Sequence, residues 1–141
     1  MRTLLKYLLA TGFMLVATLG LATEPVKVVY HVNEGIPQAV RALGNIRNHL
    51  NADPTAKIIV VTHGAGIDFL LEGAQNAQGM KFSSLVGDLA SKGVQFEVCK
   101  NTLDARGIPE NQVIMEAKVV PSGVAEIAKL QARERFVYLK P

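Results

Sequence analysis

Cys99 is the only cysteine in this 141-residue chain, and it falls where a short strand pattern ends. Val94, Phe96 and Val98 alternate with Gln95 and Glu97, which places the thiol at a strand tip. Asn101 or Thr102 can cap a short helical turn whose first N–H groups point back toward the sulfur, and Lys100 adds a positive charge beside it. A free cysteine titrates near ~8.5, and a helix N-terminus or a neighbouring cation lowers that by a unit or more, favouring the thiolate that sulfur chemistry requires. Cysteine is also among the residues most often buried as a small inert hydrophobe. Both readings stay open for Cys99.

Two imidazoles belong to the same argument. His31 ends the first strand pattern and His63 the second. In an open parallel sheet the carboxyl ends of the strands share one edge, so His31, His63 and Cys99 are expected to lie along it. A neutral imidazole there could take the thiol proton, and its cation could hold the thiolate. Cysteine with two histidines is equally a donor set for copper or zinc. His49 falls on the polar face of a helix and is expected in solvent. Asp104 and Arg106 are spaced to form an ion pair bracing the loop after the cysteine.

Other chemistries find little footing. Gly64-Ala65-Gly66 opens like a phosphate-binding turn, but Phe69 stands where the dinucleotide pattern needs its third glycine, and no P-loop Gly-Lys-Ser/Thr follows. There is no Gly-x-Ser-x-Gly elbow, paired-cysteine motif or His-x-x-x-His pair. No cofactor and no resident metal is expected.

The first 22 residues read as a secretory signal. Arg2 and Lys6 precede an apolar stretch from Leu8 to Leu21, and Gly20-Leu21-Ala22 supplies the small residues of a cleavage site after Ala22. Residues 23–141 then form a single domain in an exported, periplasmic protein with no membrane attachment after cleavage. The formal charge of +3 includes Arg2 and Lys6, and the other basic residues are scattered without runs or interleaved aromatics, so nucleic-acid binding has no support. A lone thiol in an oxidising compartment is buried, paired with another chain, or kept for chemistry.

The elements that position these residues alternate. Residues 26–32 and 57–62 are rich in β-branched residues and read as buried strands, separated by a helix with Ile36, Ala39, Val40, Leu43, Ile46 and Leu50 at steps of three and four, ending before Asp53-Pro54. Residues 67–71 look like a second helical turn, 75–79 like a loop, and Phe82, Leu85, Val86 and Leu89 like the face of a helix closed by Gly93. Further strands follow the cysteine at 117–120 and 136–139, flanking a helix over about 124–133 with Ser122 as its N-cap. This order predicts an α/β fold, a three-layer α/β/α sandwich around a flavodoxin-like, mostly parallel five-stranded sheet. The consecutive Phe69, Leu70 and Leu71 suggest apolar surface facing a second subunit.

The segment Cys99-Lys100-Asn101-Thr102-Leu103-Asp104-Ala105-Arg106-Gly107-Ile108 resembles the DsrE/DsrF-like family, as do Val119-Val120-Pro121-Ser122-Gly123-Val124-Ala125-Glu126, the Leu130-Gln131 that follows, and the closing Val137-Tyr138-Leu139-Lys140-Pro141. The resemblance covers residues 23–141. It implies a flavodoxin-like domain assembled as homotrimers or hexamers, in which a cysteine carries persulfide sulfur between a donor and an acceptor protein. Cys99 is the residue carried over, with His63, His31, Lys100, Asn101 and Thr102 as its supports from the reading of the residues. The expected function is a periplasmic sulfur carrier or transferase-like protein rather than a turnover enzyme. The alternatives are a metal- or small-ligand-binding module and a structural subunit with an inert thiol.

Overall fold

The computed structural model describes residues 24–141; the expected signal segment and its cleavage site lie outside them. Five strands, β1 (Lys27–Val32), β2 (Lys57–Thr62), β3 (Gln95–Cys99), β4 (Ala117–Val120) and β5 (Val137–Leu139), form one sheet in the order β4-β3-β2-β1-β5, and every pairing is parallel. Helices α1 (Ile36–Ala52), α2 (Phe82–Ser91), α3 (Lys100–Ala105) and α4 (Gly123–Glu134) connect them. This is the expected α/β sandwich.

The strand order dictates the layers. From β1 through β4 the chain steps in one direction, and β4 to β5 passes back across the sheet to the far side of β1. Crossovers between parallel strands are right-handed, so reversing the direction of travel moves the connecting helix to the opposite face. Alternate strand residues Val28, Tyr30, Val32, Ile58, Val60, Phe96 and Val98 accordingly pack with α1, α2 and α3, whereas Val29, Ile59 and Val61 pack with Ile127 and Leu130 of α4 and with Phe136.

Local chemistry fits each element. Helix α1 buries Ala39, Ala42, Leu43, Ile46 and Leu50, and ends where the Asp53 N–H donates to the His49 carbonyl just before Pro54. Helix α4 is capped by Ser122, whose hydroxyl accepts from the Ala125 N–H at 3.4 Å, a device worth about 1 kcal/mol. Phe69 meets Phe82 and Phe96 edge-on at 5.7 and 6.4 Å, each contact adding about 0.5–1.5 kcal/mol beyond burial.

Several sequence expectations are corrected here. The segment after β2 is a 3-10 turn over Gly64–Leu70, starting three residues before the expected 67. Phe69 and Leu70 are buried in the chain's own core and Leu71 is partly buried against it, so this run is not the exposed apolar surface expected. Exposed apolar side chains lie elsewhere: on Val26, Val40, Met80 and Met115, on Val124 of α4, and on Val137, Tyr138 and Leu139 of the edge strand β5. His49 is not simply solvated: its Nδ1 lies 3.0 Å from the Tyr30 hydroxyl. Arg106 pairs with Asp68 at 2.7 Å and not with Asp104, which takes Lys100 instead. That long-range pair ties the end of α3 to the 3-10 turn. Among the described residues no helix is long and apolar enough to cross a membrane.

Candidate functional site

The direction reversal makes a topological switch point at the carboxyl edge of the sheet. The chain leaving β3 turns into α3 on one face, and the chain leaving β4 turns into α4 on the other, so the loops diverge between these two adjacent strands. Ligands in open α/β sheets bind at such a point. Cys99 occupies it, aligned with Val120 in the register of β3 and β4.

Two helix N-termini converge on the sulfur. Helix α3 begins at Lys100, so Cys99 itself holds the N-cap position expected of Asn101 or Thr102. Burial alone pushes the thiol pKa up; against it, the Gly123 N–H from α4, the Thr102 hydroxyl and the N–H groups of Thr102 and Asn101 favour the charged form, and the balance lies below the ordinary thiol value. The side chain makes no tight cap bond, so these donors act as a surrounding positive field. Cys99 is 5 % exposed.

Close packing keeps α4 near the sulfur. A methyl group on Gly123 would lie 3.1 Å from the Thr62 carbonyl oxygen, 3.2 Å from His63 Cβ and 3.3 Å from Cys99 Cβ. A larger residue there would push the first turn of α4 back from both strand tips by a few tenths of an ångström. Thr102 serves twice, since its hydroxyl oxygen also accepts the Gly64 N–H at 3.0 Å. With that N–H taken and the Gly66 N–H donating to the His63 carbonyl, the Gly64-Ala65-Gly66 turn spends these two donors internally and leaves neither for a phosphate.

Lys100 does not face the sulfur. Its ammonium reaches Asp104 at 2.7 Å, one helical turn on, and Glu110 at 3.5 Å, so the expected cation is neutralised at the surface. Asn101 is exposed and contributes its backbone, its N–H also donating to the Pro121 carbonyl at 3.3 Å.

The two histidines meet each other. Their Nε2 atoms are 2.7 Å apart, and His31 Nδ1 lies 2.7 Å from the Tyr138 hydroxyl. The ring centres are 4.8 Å apart, about two ring radii more than the nitrogen separation, so the rings meet end to end in an N–H···N bond. Two nitrogens aimed along one line at each other are not aimed at a common metal. Among the described residues no group of three His, Cys, Asp or Glu side chains is placed to hold one. Burial lowers both imidazole pKa values, helped at His31 by His63 and Lys140 and at His63 by Lys140. Both rings are therefore neutral at neutral pH. As pH falls through ~6.5 the unfolded chain takes up these protons first, so the folded state loses stability there and regains it above.

The model of the DsrE/DsrF-like family matches residues 11–139. The chain belongs to the DsrE/DsrF-like family. Similar solved structures include the MTH1491 protein of unknown function from Methanobacterium thermoautotrophicum, 29% identical with a TM-score of 0.72, covering 82% of this chain and 99% of that one. The ychN protein from E. coli, 16% identical, has a TM-score of 0.69 over 82% of this chain and 99% of that one. The conserved protein of unknown function BT1422 from Bacteroides thetaiotaomicron, 15% identical, reaches 0.58 over 82% and 94%. No curated protein matches the chain. Sequence reasoning missed two residues of the candidate site, Gly123 and Tyr138. Tyr138 could have been found by placing β5 beside β1, because it then shares the face of Val29 and His31.

Proposed function

We propose that this protein is an exported sulfur handler that carries persulfide sulfur on Cys99 and passes it to an acceptor protein. Membership of the DsrE/DsrF-like family points to sulfur-relay work in general. The single observation that supports the finer reading is the position of Cys99 between two helix N-termini, with Gly123, Thr102 and Asn101 lowering its thiol pKa. A persulfide is a still softer anion, and the same donors would hold it. Intact mass of mature protein treated with a cysteine persulfide should rise by about 32 Da, one sulfur atom, and reduction should reverse it.

A second reading, an inert structural thiol, is favoured by the 5 % exposure of Cys99. It expects no adduct.

Export to the periplasm is part of this reading, and what supports it is the pattern of basic residues, apolar run and small residues before position 23. Self-assembly is part of the proposal, with a trimer or hexamer as the family form. The exposed apolar side chains of β5 and Val124 offer a surface for it. Purified from an exporting host, the protein should begin at Thr23 and scatter light as a multiple of one chain. An intact Met1 in the membrane fraction, or a monomer at micromolar concentration, would remove these parts of the reading.

A further inference from the structure

We propose that His63, His31 and Tyr138 form a proton relay that carries the Cys99 thiol proton from the buried end of β3 to solvent. This deepens the sulfur-carrier reading and names the groups that would manage its protons.

The geometry supplies each link. His63 Cβ and Cys99 Cβ lie 3.2 and 3.3 Å from one point at Gly123, so the two side chains spring from positions no more than about 6.5 Å apart, close enough for Nδ1 and the sulfur to exchange a proton directly or through one water. Among the described residues His63 Nδ1 has no hydrogen-bond partner, while its Nε2 is held by His31. His31 in turn holds the Tyr138 hydroxyl, and Tyr138 is 38% exposed on the edge strand. Around the outer end stand Lys140 and Glu34, paired with each other.

Two neutral rings joined in this way have two arrangements of their protons. In the first, His63 Nε2–H donates to His31 Nε2, His31 Nδ1–H donates to the Tyr138 oxygen, and His63 Nδ1 is a bare acceptor. When the Cys99 S–H bond breaks, its proton goes to His63 Nδ1. The His63 Nε2 proton passes to His31 Nε2, the His31 Nδ1 proton passes to Tyr138, and the original Tyr138 proton leaves to solvent. The second arrangement results, with both rings still neutral and one thiolate formed. That thiolate attacks the outer sulfur of a donor persulfide, and the donor S–S bond breaks with its electron pair on the departing thiolate. The proton now on His63 Nδ1 neutralises the departing group, and the relay returns to its first state by drawing one proton from solvent through Tyr138. Charge and protons balance over the cycle without any ring becoming a cation, which burial and Lys140 oppose at both positions.

The test is nitrogen-15 NMR of the imidazoles while Cys99 is titrated, paired with single-turnover sulfur loading from cysteine persulfide. As Cys99 ionises, His63 Nδ1 should gain a proton and His31 Nδ1 should lose one, at the same pH. Tyr138→Phe removes the outlet and keeps the ring, so it should uncouple this exchange and slow loading at least about tenfold while the urea midpoint stays near wild type. Imidazole signals that ignore the ionisation of Cys99, or a Tyr138→Phe protein that loads at the wild-type rate, would overturn the relay. A tautomer exchange that occurs in a protein unable to accept sulfur keeps the relay and removes the carrier reading instead.

Discussion

Gly66→Ala should cost about 3 kcal/mol or more of stability, the largest loss expected from a Gly→Ala change among the described residues. A Cβ at this position would lie 2.0 Å from the Val32 carbonyl oxygen, 2.4 Å from its carbon and 2.6 Å from Asn33 Cα. All three are backbone atoms, so no rotamer change relieves the overlap. The turn after β2 crosses the end of β1 here, and separating them breaks the packing of Ile67, Phe69 and Leu70 into the main core. Domains of this size are stable by only about 5–15 kcal/mol, so the variant should unfold at much lower urea or accumulate poorly. Gly64→Ala is the contrast. Its added methyl group meets only the Asn33 carbonyl oxygen at 3.6 Å, and its cost is the strain of a φ of +56°, about 1–2 kcal/mol. Equal urea midpoints for Gly66→Ala and wild type would show that the turn does not cross β1 as described.

The same crossing shows how far the sequence could be read. Helix α1 and strand β2 were legible because their burial is written in local spacing: three- and four-residue steps in one, a continuous apolar run in the other. The meeting of His31 and His63 follows once β1 and β2 are adjacent and parallel, since their tips then lie side by side. Contacts set by tertiary placement were not legible. Glu97 alternates with apolar residues as a surface position would, yet it is 4% exposed, because the reversed crossover lays α4 over that face of β3. Burial and the nearby Glu126 raise its carboxyl pKa, and its Oε2 has no hydrogen-bond partner among the described residues. Lys100 was misjudged for a local reason. A helix starting directly at Lys100 brings Asp104 into the i, i+4 position, and the ammonium follows that carboxylate and Glu110 away from the sulfur. The Arg106–Asp68 pair spans 38 residues and leaves no local trace.

Cys99 should alkylate with iodoacetamide in the folded protein, along a pH profile whose midpoint lies below the ordinary thiol range near ~8.5. Burial pushes its pKa up, but the donors from Gly123, Thr102 and Asn101 outweigh burial. The rate should therefore rise as pH climbs through this lowered midpoint and level off earlier than for a free thiol. Linkage gives the matching stability trend. The folded state releases the thiol proton more readily than the unfolded chain, so Cys99 adds stability as pH rises through its folded pKa, in full above the unfolded value, and this is lost as pH falls. Thr102→Val removes a hydroxyl donor from the sulfur and an acceptor from the Gly64 N–H, and should move the alkylation midpoint upward. Cys99→Ser should abolish labelling and sulfur loading altogether, with little change in the urea midpoint, because the replacement is nearly isosteric and the same N–H donors face its hydroxyl. The 5 % exposure slows access without changing the sign of the pH dependence. Native protein that resists iodoacetamide for hours at neutral pH and labels at once in urea would instead make Cys99 a closed, desolvated plug at the end of β3, and the two helix N-termini around it a packing feature.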